Sequence, residues 1–211
     1  MGIRNYLLLA ILIAAIALAP VLMRNQYFLS VLVFMGIYAL AAMGLSMFMG
    51  YAGQISIGHA GFFAIGGYAS AILTRTCHWP PLAALAAGVA LSIVAALLVG
   101  TPSLRLRGHY LAMATLGFGE IVYITSGAAV KLTGGPSGFS GIPSMSVAGF
   151  VFRSELSKYF LVWSLVILFI ILSFNMIHSR VGRALRSIHG DEIAAQAMGV
   201  NVSRYKIKVF V

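Results

Sequence analysis

The 211 residues are 61% hydrophobic and only 9% charged, with a mean hydropathy of +0.99, whereas soluble domains are about half apolar and about a quarter charged. So few charges cannot keep a surface of this size solvated, which excludes a soluble globular domain and makes lipid the main solvent. The 14 Lys and Arg against 4 Asp and Glu leave a formal charge of +10, but the basic residues stand at the ends of apolar runs, a pattern that orients membrane spans and does not suggest a nucleic-acid footprint.

In chain order, apolar runs at 6–23, 27–50, 59–74, 82–100, 109–130 and 159–177 predict an all-α fold, a polytopic transmembrane helix bundle of about six spans. A helix rises about 1.5 Å per residue and must cross roughly 30 Å of hydrocarbon, so about 20 residues are needed. The first run follows Arg4 and ends on Ala17-Leu18-Ala19, which imitates a secretory signal with a small-residue cleavage site. Pro20 directly after that site makes cleavage awkward, so the run reads as a retained helix. The third run is short and contains Gly61, Gly66 and Gly67; it reads as a Gly-broken segment, either a distorted span or a half-helix shielded by protein.

Placing the chain after Ile177 on the inner side puts Arg4, Arg105, Arg107, Arg180 and the other basic residues of the tail inside, the majority of the positive charge. Whether the third run crosses only exchanges Arg4 and Arg24 and leaves that majority unchanged. The connection 131–158 then lies outside. Its KLTGGPSGFSGIPSMSVAGF stretch demands turns rather than a helix and reads as a surface loop.

Cys77 is the sole cysteine, which excludes an intrachain disulfide, and the five histidines form no HxxxH spacing or Cys/His cluster, so no metal site is indicated. There is no GxSxG and no carboxylate pair, and GGPSGFSG lacks the Lys of a phosphate-binding loop. The chain therefore reads as a non-enzyme without catalytic residues or a cofactor of its own.

Two places inside the apolar runs carry polar chemistry. The stretch Gly50-Tyr51-Ala52-Gly53-Gln54-Ile55-Ser56-Ile57-Gly58-His59-Ala60-Gly61 is dense in small residues, which suits close helix packing. It also sets Gln54, Ser56 and His59 at an interrupted helix, where exposed backbone lines translocation paths. Glu120 is the only acid within an apolar run and falls near mid-membrane. An unpaired charge there is costly, so Glu120 is expected to face the bundle interior, as a path or gating carboxylate or as a buried hydrogen-bond partner between helices.

The tail 179–206 is the most informative polar piece. Gly190 interrupts it, Asp191 can N-cap, Glu192 suits the positive end of a helix, and Gly199 can terminate at C′. A helix of about two turns over 192–198 follows. It carries Ile193, Ala194, Ala197 and Met198 toward one side, a small apolar face suited to a groove on another protein or to the chain's own bundle. The apolar 207–211 reads as the start of a further span, and the chain as a piece of a longer protein.

Glu192, Ala194, Ala195 and Gly199 resemble the EAA coupling loop of ABC importer permeases, with Ile193 inserted between the acid and the alanines. YAGQISIGHAGFFAIGGY, LRLRGHYLAMATLGFGEI, LTGGPSGFSGIP and SRVGRALRSIHGDEIAAQAMGVNVSRYK together resemble, in order, the permease of the branched-chain amino-acid ABC importers. The resemblance covers most of 50–206. It implies a subunit of a bacterial inner-membrane importer for leucine, isoleucine and valine. Its partners would be a homologous permease, two cytoplasmic ATPase subunits that bind the ATP, and a periplasmic substrate-binding protein. By the same resemblance Asp191, Glu192, Ala194, Ala195 and Gly199 form the ATPase-coupling element, and Gly199→Asp or a bulky charge at Ala195 is expected to uncouple hydrolysis from uptake. Related permeases carry urea or short amides, and an ion-coupled secondary transporter using Glu120 is the reading from a different class.

Overall fold

The computed structural model describes residues 3–22, 25–106, 108–147, 150–152 and 154–211. Met23, Arg24, Arg107 and Arg153, together with residues 148 and 149 of the connection 131–158, lie outside the described residues. The chain divides into two compact units, Met1–Ala42 with Phe152–Asn175, and Met43–Val151 with Met176–Val211.

The first unit is built from α1 (Ile3–Leu22), most of α2 (Gln26–Ser46) and most of α7 (Glu155–His178). Asn25 opens α2 by accepting the Tyr27 N–H on its side chain at 3.1 Å. Pro20 sits inside α1, where it withholds the N–H that would satisfy the Ile16 carbonyl. The Tyr159 hydroxyl of α7 donates to that carbonyl at 2.8 Å and, with Leu29 and Ile16, forms a buried cluster. Trp163 Nε1 donates to the Leu32 carbonyl at 3.2 Å. Gly36 admits this approach, since a Cβ there would meet Val162 at 2.6 Å.

In the second unit the end of α2 widens into a π-helical turn, Met47–Tyr51, followed by irregular backbone through Gly58. Then come α3 (His59–Arg75), α4 (Pro81–Ser103) and α5 (His109–Ala128). Pro81 occupies the first turn of α4, where its missing N–H costs nothing. α3 and α4 meet through small residues: a Cβ on Gly88 would lie 2.6 Å from the Gly66 carbonyl, and Ser92 Oγ donates to the Phe62 carbonyl at 3.1 Å. Without a hydrophobic drive between helices in lipid, such close backbone contact and interhelical hydrogen bonds hold the pair.

The expected interruption within 59–74 is therefore displaced. α3 is continuous, Gly61 and Gly66 being packing contacts and Gly67 facing open space, while the break falls before it, at 52–58. Among the described residues four helices are long and apolar enough to cross a membrane: Gln26–Tyr51, Pro81–Ser103, His109–Ala128 and Glu155–His178. At 17 residues α3 spans about 25 Å, short of a hydrocarbon core of roughly 30 Å. The count of about six spans thus stays an expectation from the sequence.

The connection 131–158 is not all turns. A one-turn helix α6 (Val130–Thr133), a 3-10 turn Gly135–Ser137 and a two-residue antiparallel pair, β1 (Ser146–Val147) with β2 (Phe150–Val151), occupy it, and α7 already begins at Glu155. Thr133 organises the turn by donating to the Ser126 carbonyl at 2.6 Å and accepting the Gly135 N–H at 3.2 Å.

After α7 come α8 (Arg180–Gly190), α9 (Glu192–Ala197) and α10 (Val202–Phe210). α8 is amphipathic, burying Gly182, Leu185 and Ile188 while Arg183 and Arg186 are exposed. The 207–211 segment belongs mostly to α10, and Phe210 closes a buried cluster with Phe48, Phe62, Ala96, Leu104 and Leu111. Its ring stands 5.1 Å from Phe48 and 5.3 Å from Phe62.

Candidate functional site

The short tail helix α9 forms as its residue types dictate. Asp191 is the N-cap of α9, its Oδ1 accepting the Ile193 and Ala194 N–H groups at 2.7 and 3.1 Å. Met198 is the C-cap, and Gly199 follows at φ +84°, a left-handed geometry that only glycine enters without strain. A six-residue helix is marginal by itself in water, so tertiary contacts must hold it. Ala195 is the buried contact, 5% exposed, whereas Ile193, Ala194, Ala197 and Met198 are all exposed. The burial of Ala195 revises one expectation. A bulky charge there would disrupt the seat of α9 in its own subunit before it disturbed any external contact.

Glu192 points back into its own chain. Its Oε1 accepts Gln54 Nε2 at 3.0 Å and pairs with Lys206 Nζ at 2.5 Å. Lys206 is 2% exposed, and the Glu192 side chain 18%. Removing Glu192 would strand the buried Lys206 charge, a loss of about 3–5 kcal/mol, whereas removing Lys206 leaves a carboxylate that is partly exposed and still accepts from Gln54. The second Gln54 amide hydrogen goes to the Ala52 carbonyl at 3.1 Å. Beside it, Gly53 at φ +65° faces the His189 ring, 3.2 Å from where a Cβ would stand. Three members of this contact, Gly53, His189 and Lys206, were not singled out in the sequence. The lysine's signal was faint: one basic residue among several in SRYKIK.

The interrupted backbone is stitched to α5. Thr115, fully buried, accepts the Ile57 N–H on Oγ1 at 3.1 Å and donates to the Ala112 carbonyl at 3.0 Å. A Cβ on Gly58 would overlap the Thr115 carbonyl, and one on Gly119 would lie 3.1 Å from Gly58 Cα. Of the polar residues assigned to the path, Gln54 is engaged by Glu192. Ser56 Oγ and His59 Nδ1 are buried without a hydrogen-bond partner among the described residues.

Glu120 departs from expectation. It is exposed on α5 and has no hydrogen-bond or ion-pair partner among the described residues. It therefore does not sit in the interior of this chain, and it does not join two of its helices. The helix phase explains this: the buried side of α5 carries Leu111, Ala112 and Thr115, and Glu120 lies off it. It lines a groove of about 430 Å³ between α3 and α5 together with Ile57, Gly58, Gly61, Tyr68 and Tyr123.

The family described as branched-chain amino acid transport system / permease component matches residues 27–211. The chain is 32% identical to the high-affinity branched-chain amino acid transport system permease proteins LivM of Salmonella typhimurium and Escherichia coli, across 96% of this chain and 53% of each relative. It is 24% identical to the probable branched-chain amino acid transport permease protein LivM of Methanocaldococcus jannaschii, across 84% of this chain and 61% of that protein. The chain thus spans about half the length of the Salmonella typhimurium and Escherichia coli relatives. No solved structure matches it. With the family matched over 27–211 and a relative 32% identical across 96% of this chain, the chain belongs to the family of branched-chain amino acid transport system permease components.

Proposed function

We propose that this chain belongs to the translocating subunit of an ATP-driven importer for leucine, isoleucine and valine in a bacterial inner membrane. It would work with a homologous permease, two cytoplasmic ATPases that bind ATP, and a periplasmic binding protein. The observation that carries this reading is the form of α9. Asp191 caps the helix and Glu192 and Ala195 fasten it to its own chain, while Ile193 and Met198 stand 66% and 85% exposed. An apolar residue that exposed on a helix held this firmly suits a groove on a partner. Asp191, Glu192, Ala194, Ala195 and Gly199 would shape and seat the coupling helix, and the path would run past Gln54, Ser56, His59 and the Glu120 groove.

Glu120 supports the path assignment by a cost argument. A carboxylate near the centre of the bilayer with no partner among the described residues cannot face lipid cheaply, so its groove would face water, solute or another subunit. The test is leucine uptake by proteoliposomes holding the assembled importer, with the binding protein and ATP inside. ATP-dependent uptake that falls in Glu120→Gln at unchanged subunit content is the expected result. Uptake driven by a proton gradient without ATPase subunits would favour the secondary transporter instead, and ATP-driven uptake of urea in place of leucine would reassign the solute.

A further inference from the structure

α9 is joined to the interrupted segment by one carboxylate. Glu192 Oε1 receives both Gln54 Nε2 and Lys206 Nζ, and each donor belongs to a different route inward. Gln54 closes the π-helical turn, its own N–H donating to the Phe48 carbonyl at 3.4 Å and its side chain to Ala52. Lys206 lies one helical turn before Phe210 on α10, so both share a face. Phe210 packs against Phe48 of the π turn and Phe62 of α3. The two routes therefore reach the break from its two sides, the π turn before it and α3 after it. Between them, the backbone at Gly53 takes a left-handed φ under the His189 ring of α8, and π turns recur at functional sites inside helices.

We propose that Gln54 and Lys206 are positioning residues that, through Glu192, transmit displacement of α9 to the interrupted segment 52–58. The assignment rests on the importer reading above. Under it Glu192 serves as an internal hub, and the external contact is made by the exposed residues after it. A rigid connection is required because a partner's push on Ile193 or Met198 would otherwise be absorbed by local tilting of a six-residue helix. A buried lysine and an amide that share one carboxylate oxygen offer two discrete states, engaged or broken, and coupling between sites needs a bistable element of that kind.

The experiment measures ATP hydrolysis and leucine uptake side by side in proteoliposomes of the complete importer, in wild type, Lys206→Met, Gln54→Leu and the exposed control Lys208→Met. The expected result is assembly and hydrolysis within about twofold of wild type, with leucine carried per ATP lowered about tenfold in Lys206→Met and Gln54→Leu. Lys208→Met should leave that ratio unchanged, and the exchanged pair Glu192→Lys with Lys206→Glu should recover part of it. An unchanged ratio in Lys206→Met and Gln54→Leu, or hydrolysis and uptake falling in parallel, would overturn the proposal while leaving the importer reading intact. Should Lys206→Met fail to assemble, Lys206→Gln, which keeps a donor without the charge, takes its place: a lowered ratio supports the relay and an unchanged one removes it. Gln54 also lies on the path assigned above, so a ratio lowered in Gln54→Leu alone, with the Lys206 variant unchanged, overturns the relay. A wild-type complex without ATP-driven uptake overturns the importer reading, and this assignment with it.

Discussion

The Tyr159 hydroxyl and the Ile16 carbonyl, 2.8 Å apart, replace a helical hydrogen bond that Pro20 removes from α1. Ile16 would ordinarily accept the N–H four residues on, and a proline has none. In an apolar solvent an orphaned carbonyl is expensive, and neighbouring helices are the usual remedy. Tyr159→Phe is expected to lower stability by about 1–3 kcal/mol, read as thermal unfolding in detergent. In a Pro20→Ala background the carbonyl regains a helical partner, and the same substitution should then cost less than about 1 kcal/mol. Equal losses in both backgrounds would show that the hydroxyl acts in some other way.

Glycine substitutions should divide by what lies opposite. Gly58→Ala and Gly88→Ala drive a methyl into the Thr115 and Gly66 carbonyls respectively, and backbone cannot swing aside as a side chain can. Each is expected to lose about 1–3 kcal/mol, the usual scale for overpacking. Gly67 faces open space, so Gly67→Ala should be neutral or slightly stabilising. Melting temperatures of the three variants check the ordering, and a Gly67 variant as damaged as the other two would refute it.

The capping of α9 should be separable from its outer surface. Asp191→Ala leaves two N–H groups without their acceptor and is expected to cost about 0.5–2 kcal/mol, whereas Asp191→Asn should retain most of the cap. Hydrogen exchange over 192–197 is the direct measurement, with faster exchange expected in the alanine variant alone.

Ile193→Asp and Met198→Asp change exposed positions and should alter stability by no more than about 0.5 kcal/mol. Their expected effect is loss of ATPase subunits during co-purification, since an apolar contact would receive a charge. Ala195→Glu should behave in the opposite sense, lowering stability first, because that position is 5% exposed and a buried charge is costly. Retained ATPase in the Ile193 and Met198 variants would remove this face from the interface.

Much of the architecture was legible before any coordinates. Long apolar runs follow from the bilayer's thickness and appear as helices with ends close to the predicted ones: 82–100 became Pro81–Ser103, and 109–130 became His109–Ala128. The cap residues of α9 were legible for a related reason, since Asp191 and Gly199 act on backbone two or three residues away. Neither α8 nor the register of α10 was read from the tail, because a short amphipathic helix depends on the surface it meets.

Composition, spacing and local backbone chemistry by themselves decided that this chain lives in lipid, where its long helices run, and where the short capped helix begins and ends. These are local or solvent-driven properties, written in runs of neighbouring residues. Only the tertiary structure decided that α3 is whole and the break precedes it, that Glu120 lies exposed along a groove between α3 and α5, and that Glu192 reaches across 138 positions to Gln54 while pairing with Lys206. Those outcomes depend on which surfaces meet. A glutamate suited to a helix start is, as a sequence, the same residue whether its carboxylate faces a partner or a buried lysine.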